Sequence, residues 1–176
     1  DVLEETAYLL FRLFSSVRLR KPIVLTAAMR PHSGSSHDDP PDGPRNLRDA
    51  LLVAATPGAH GVCVVMNGVV LSADGLRKID TENLDAFWSP EGPIATILEQ
   101  EGPRIEVHGR WPTCEVIFPY KMLDIPTGKW PRVEITKDHV GADGRLIELA
   151  RREGLLDGLI IEASGTGTMR RELAEV

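Results

Sequence analysis

The chain has 176 residues and a mass of 19.3 kDa, with 26 acidic against 20 basic side chains, a net charge of −6 and a pI near 5.4. At 42% apolar and 26% charged it has the composition of a soluble globular protein, long enough to bury a sizeable core. The acidic balance argues against a nucleic-acid partner, because phosphate neutralisation needs clustered Lys and Arg, and the densest basic run is only Arg18, Arg20 and Lys21. No apolar stretch approaches the about eighteen residues that span a bilayer, so no membrane partner is expected.

In chain order, apolar residues at 3, 7, 10 and 14, widened by 9 and 13, predict a helix over 1–14. Asp1 and Glu4 match an acidic form of the capping box and suit the positive end of that helix. Residues 22–27, Pro-Ile-Val-Leu-Thr-Ala, form a short β-rich run of the kind buried in a parallel sheet. Residues 29–42 are rich in Pro, Gly, Ser and Asp and predict a long loop. A helix is expected over 46–55, a buried strand over 61–66 and a short hairpin arm over 69–79. Signals weaken across 94–107. Pro112, Pro119 and Pro126 mark 109–129 as an interdomain linker. A strand at 133–136, a helix at 145–153 and a strand at 158–163 follow, and then a glycine turn, Ser164-Gly165-Thr166-Gly167-Thr168. The strand–helix–strand alternation predicts an α/β fold with a mostly parallel sheet flanked by helices, in which ligands sit beyond the carboxyl ends of strands. The loops after Ala27, Met66 and Ala163 are therefore the places to search.

The termini predict an internal piece of something longer: there is no initiator Met, no signal peptide at Asp-Val-Leu-Glu-Glu, and 170–176 reads as the start of a helix. The compartment is not readable from them, so cytoplasmic, periplasmic and secreted settings stay open. Cys63 and Cys114 make no disulfide framework and lack zinc-site spacing.

Taken one at a time, the chemical candidates are weak. The glycine turn sits between a strand and a helix, but a dinucleotide fingerprint would need Gly where the chain has Arg170. Five histidines, at 32, 37, 60, 108 and 139, are scattered; His32 and His37 share a loop with Asp38 and Asp39, which reads better as solvated than as a metal site. No G-x-S-x-G elbow supports a hydrolase triad. Lys78, in Leu76-Arg77-Lys78-Ile79, could relay protons if taken out of water, although most lysines are surface charges.

Three stretches change the reading. Asp1-Val-Leu-Glu-Glu-Thr-Ala-Tyr, then 21–31, Lys-Pro-Ile-Val-Leu-Thr-Ala-Ala-Met-Arg-Pro, and then Asp42-Gly43-Pro44-Arg45-Asn46-Leu47 together resemble the bacterial-type L-asparaginase family. Val64-Val65-Met66-Asn67, Lys78 and Leu84-Asp85-Ala86-Phe87 fall in the same order, and the likeness continues more loosely to Gly167. The resemblance implies an amidohydrolase turning L-asparagine into L-aspartate and ammonia, with L-glutamine as a side substrate. It implies a threonine nucleophile and a Thr-Asp-Lys relay in which Asp1 is the acid and Lys78 the amine. Asp1 would also bind the substrate's α-amino group, and Ala28 would turn its backbone carbonyl toward the side-chain amide. No cofactor or metal is implied. A homo-oligomer, tetramer or dimer, is expected of the complete protein.

The organisation implied is the latter part of an N-terminal domain over 1–108, a linker over 109–129, and the beginning of a smaller C-terminal domain over 130–176. Both threonines of the mechanism are absent from these residues, so the piece by itself should be inactive. Val2, Ala27 and Thr168 depart from the usual residues, Thr, Gly and Asn. Two rival readings are the asparaginase-like subunit of a tRNA-dependent amidotransferase and a non-catalytic amino-acid-binding homologue.

Overall fold

Val62–Met66 carries five buried side chains in succession, so both faces of this strand must be covered. The structure, a computed structural model, describes residues 2–14, 21–30, 40–100, 102–114, 124 and 126–175. It divides into two units, Asp1–Tyr120 and Lys121–Val176.

In the first unit, helix α1 spans Leu3–Phe14, strand β1 Ile23–Thr26, helix α2 Gly43–Ala55, and β2 is Val62–Met66. Strands β3 (Val69–Ser72), β4 (Arg77–Lys78), β5 (Phe87–Trp88), β6 (Pro93–Leu98) and β7 (Arg104–Val107) follow. Five of them form one sheet in the order β1-β2-β3-β6-β7, and β4 pairs with β5 separately. Successive residues of β2 point to opposite faces. Val62, Val64 and Met66 pack with Ala7 and Phe11 of α1. Cys63 and Val65 pack with Ala50 and Val53 of α2. The two helices therefore cover opposite faces of the sheet, and each fully buried valine contributes about 1.5–3 kcal/mol.

The α/β class is the expected one, and the sheet is mixed rather than mostly parallel. β1 and β2 run parallel, in register from Ile23 opposite Val62 to Thr26 opposite Val65, because α2 carries the chain back between them. The pairings β2–β3, β3–β6 and β6–β7 are antiparallel. The cause is local: Asn67 and Gly68, with φ of 49° and 75°, are both left-handed, as a two-residue hairpin turn requires. That turn leads straight back from Met66 to its partner Val69. The weakly patterned stretch 94–107 holds the β6–β7 hairpin, whose outer strand β7 is largely exposed and so lacks an apolar signature.

α2 begins at Gly43, three residues before the position the apolar spacing indicates, because Pro44 is pre-set for a first helical turn. The capping box expected of Asp1 and Glu4 is described at one of its two members only. Asp1 lies outside the described residues, and the Glu4 carboxylate accepts a hydrogen bond from the backbone N–H of Lys78.

The second unit contains a short 3-10 turn, Thr127–Lys129, and then β8 (Val133–Lys137), α3 (Arg145–Arg152), β9 (Gly158–Glu162) and α4 (Arg171–Ala174). β8 and β9 pair in parallel through α3, a second strand–helix–strand crossover. Leu173 is buried, at 4% exposed, while Ile135 is 70% and Leu146 80% exposed.

Phe11, 2% exposed, is the largest side chain joining α1 to the sheet. Phe11→Ala is expected to cost about 3–5 kcal/mol in equilibrium denaturation; a loss below about 1 kcal/mol would mean that α1 is not anchored through this ring.

Candidate active site

The carboxyl ends of the two parallel strands lie side by side, and the sequence places its chemistry-bearing loops there. Thr26 Oγ1 donates to the Val65 carbonyl at 2.7 Å, which locks the last pair of β1 and β2 residues. Beyond it, the Ala27 N–H meets Met66 Sδ at 3.3 Å. Ala28 follows and is exposed.

Three buried polar residues stand at the cap and along one face of α2: Asp42, 8% exposed, and Asn46 and Asp49, both fully buried. Asp42 and Asn46 are four apart, one above the other on the same helix face. Asp42 occupies the N-cap position of α2, yet its side chain makes no capping bond to its own helix. Its carboxylate instead accepts the N–H groups of Met29, at 3.0 and 3.1 Å, and Arg30, at 2.9 Å. The Asn46 side-chain amide donates to the Ala27 carbonyl at 3.0 Å and to Asp42 Oδ2 at 2.9 Å. Its oxygen accepts the Asn67 N–H at 3.0 Å. One side chain thus ties together the end of β1, the start of α2 and the turn after β2. Burial opposes the charge on Asp42, but the N–H groups of Met29 and Arg30 and the Asn46 amide outweigh it and hold the carboxyl below its usual value. Asp49 lies deeper along the same helix, bonded at 2.8 Å to Arg48.

Lys78 is half-buried on the two-residue strand β4, opposite Phe87. Its Nζ lies 5.8 Å from the centre of the Phe87 ring, a cation–π distance. Through its backbone it is joined to Glu4 in the first turn of α1, and Glu4 lines a cleft of about 420 Å³ with Tyr8, Asp74 and Arg77. Leu76 and Phe87, which flank or face Lys78, belong to the same apolar cluster as Ala7, and Leu3, Ala27 and Met29 pack against that cluster. The Lys78 strand and the Ala28 loop therefore rest on one core. Asp1, the third expected site residue, lies outside the described residues, two positions before the first residue of α1.

The residues missed as individuals are Glu4, Asp42 and Asn46. The signal for the last two was available: polar residues at 42, 46 and 49 share a helix face with Ala50 and Val53, which places them inside.

The weaker candidates resolve plainly. The glycine turn closes on itself: the N–H groups of Gly167 and Thr168 both donate to the Ser164 carbonyl at 3.1 Å, so neither is turned out to cradle a phosphate. Its following helix, α4, has four residues. His32, His37, Asp38 and Asp39 lie outside the described residues. Among the described residues no group of three His, Cys, Asp or Glu could hold a metal, and no helix is long and apolar enough to cross a membrane. Cys63 is fully buried, and burial pushes its thiol up to about 12. Cys114 is buried as well.

Because Asp42 has a lowered pKa in the folded chain, its stabilising contribution is complete above the unfolded value of about 3.9 and is lost as pH falls through the lower folded value. Asp42→Asn should remove that dependence and cost about 1–3 kcal/mol at pH 7, read by urea denaturation at pH 7 and pH 3. Cys63 should resist alkylation at pH 8 in the native protein and react only after unfolding, as followed by mass spectrometry.

Residues 1–112 match the family model described as Asparaginase, N-terminal. The chain is 35% identical over 176 residues to a probable L-asparaginase of Deinococcus radiodurans, covering 98% of this chain and 50% of that protein. It is 33% identical over 172 residues to L-asparaginase 2 of Bacillus subtilis, covering 96% of this chain and 42% of that protein. The crystal structure of a probable cytoplasmic L-asparaginase from Campylobacter jejuni superposes with a TM-score of 0.78 at 29% identity, over 99% of this chain and 55% of the other. The chain thus spans about half the length of these relatives. The matched region contains α1, the parallel β1–β2 pair with its Asp42–Asn46 corner, and the Lys78 strand, and on that ground the chain belongs to the asparaginase family.

Proposed function

We propose that the complete protein hydrolyses L-asparagine to L-aspartate and ammonia, with L-glutamine as a slower substrate. The observation that carries the reading is that the start of α1 just after Asp1, the Lys78 strand and the Ala28 loop pack on one apolar core, through Leu3 and Ala7, Leu76 and Phe87, and Ala27 and Met29. It supports a relay in which Asp1 and Lys78 act together on a threonine supplied by the rest of the protein. A threonine hydroxyl is a poor nucleophile at its own pKa and needs a proton acceptor close by. In the proposed reaction its oxygen attacks the side-chain amide carbon, and the relay takes the hydroxyl proton and returns one to the departing nitrogen. Ammonia leaves, and water then hydrolyses the threonyl ester to release aspartate. Asp1 would also accept the substrate's ammonium group in a charge-assisted contact, and the Ala28 carbonyl would face the reacting amide.

The proposed organisation places 1–108 in the N-terminal domain, 109–129 in a linker and 130–176 at the start of a smaller domain. The exposed Ile135 and Leu146 of the second unit support its being part of a larger core. A homo-oligomer is the proposed assembly of the complete protein.

The test is ammonia release from L-asparagine and L-glutamine by the complete protein with and without Lys78→Ala. Turnover on asparagine should fall by about a hundredfold or more when the amine is removed. A folded parent that releases no ammonia would favour the amino-acid-binding homologue or a partner-dependent amidotransferase, and an unimpaired Lys78→Ala would remove the lysine from the relay.

A further inference from the structure

We propose that Asp42, Asn46 and Gly43, at the first turns of α2, are positioning residues that set where the Ala28 carbonyl points. The proposal rests on the reading that this carbonyl faces the substrate amide. Ala28 is exposed and lies in irregular backbone beyond the end of β1, so sheet pairing does not hold it. Its neighbours are held instead. On one side the Ala27 carbonyl accepts from the buried Asn46 amide at 3.0 Å. On the other, the Met29 and Arg30 N–H groups both donate to the Asp42 carboxylate. Fixing the peptide groups before and after a residue leaves its own carbonyl little freedom to rotate, because the backbone has only two soft torsions per residue.

Gly43 supplies a separate observation. A Cβ added there would lie 3.3 Å from the Cβ of Ala28, closer than such contacts usually come. α2 therefore touches Ala28 through a position where only hydrogen fits without displacement. The Asp42 side chain has given up capping its own helix to serve the neighbouring loop, as a positioning role requires.

The test uses the complete protein and three forms: the parent, Asp42→Asn and Gly43→Ala, each with ammonia-release kinetics and a melting temperature. Asp42→Asn keeps the size of the side chain but turns an N–H₂ donor toward donors already present. Its kcat should fall by about a hundredfold, with KM moving far less, because misplacement by a fraction of a bond length acts on the reacting geometry. Gly43→Ala keeps every hydrogen bond and suits a helix better than glycine. It should nevertheless lower kcat by about tenfold while leaving the melting temperature level or higher. A purely structural role for this corner predicts an unchanged kcat for Gly43→Ala, and that result overturns the proposal even if Asp42→Asn fails to fold. A parent without asparagine turnover overturns the functional reading first and this inference with it; an active parent with an unaffected Gly43→Ala overturns this inference alone.

Discussion

Asn46 is the residue on which the arrangement of the first unit's functional corner depends. It is fully buried, and a buried primary amide left unpaired would cost about 1–3 kcal/mol per group. Its amide donates to the Ala27 carbonyl, to Asp42 and, more distantly, to Met66 Sδ, and its oxygen accepts the Asn67 N–H, which joins the end of β1, the cap of α2 and the turn after β2. These segments come from positions 27, 42 and 67, and nothing in their local sequence holds them together. The parallel β1–β2 pairing brings their ends to the same level, and the amide then fixes the loops that leave them.

The electrostatics of this corner follow from the same contacts. A carboxylate taken out of water would normally be driven toward its neutral form. Asp42 keeps its charge because two backbone N–H groups and one side-chain amide are aimed at it. Stability and loop order are therefore coupled: the charge that needs those donors is also what holds the 28–30 backbone in place. Lys78 is held by other means. Its strand has two residues and its backbone is bonded to a helix, so its position depends on how α1 sits against the sheet through Ala7 and Phe11.

The second unit has the same strand–helix–strand logic with a different balance. Its parallel pair is in register over five residues, yet the side chains of β8 are mostly exposed. Surface ion pairs run along it, such as Lys137 with Glu162 and Arg132 with Asp157, and exposed pairs of this kind add little stability. The order in this unit comes from backbone pairing more than from a filled core.

Much was legible in the residues alone. The helix spacing of 1–14, the two apolar strands at 22–27 and 61–66, and the glycine turn all follow from short-range rules, because periodicity and turn chemistry are local properties. The motifs around Asp1, Ala28 and Asp42 carried the family. What the residues did not reveal was long-range. The β6–β7 hairpin has little apolar patterning because its outer strand faces outward. The mixed pairing followed from one left-handed Asn-Gly turn and from which strand edges were free. Glu4 belongs to the first turn of a helix, and its carboxylate bonds to Lys78, 74 positions away. Asp42 read as a loop acid before a helix, yet its partners are two amides across the turn from β1. Sequence by itself determined which segments are helix or strand and which family the chain resembles. The tertiary structure decided which buried polar groups meet, because a hydrogen bond depends on where packing brings its two ends and not on how far apart they lie along the chain.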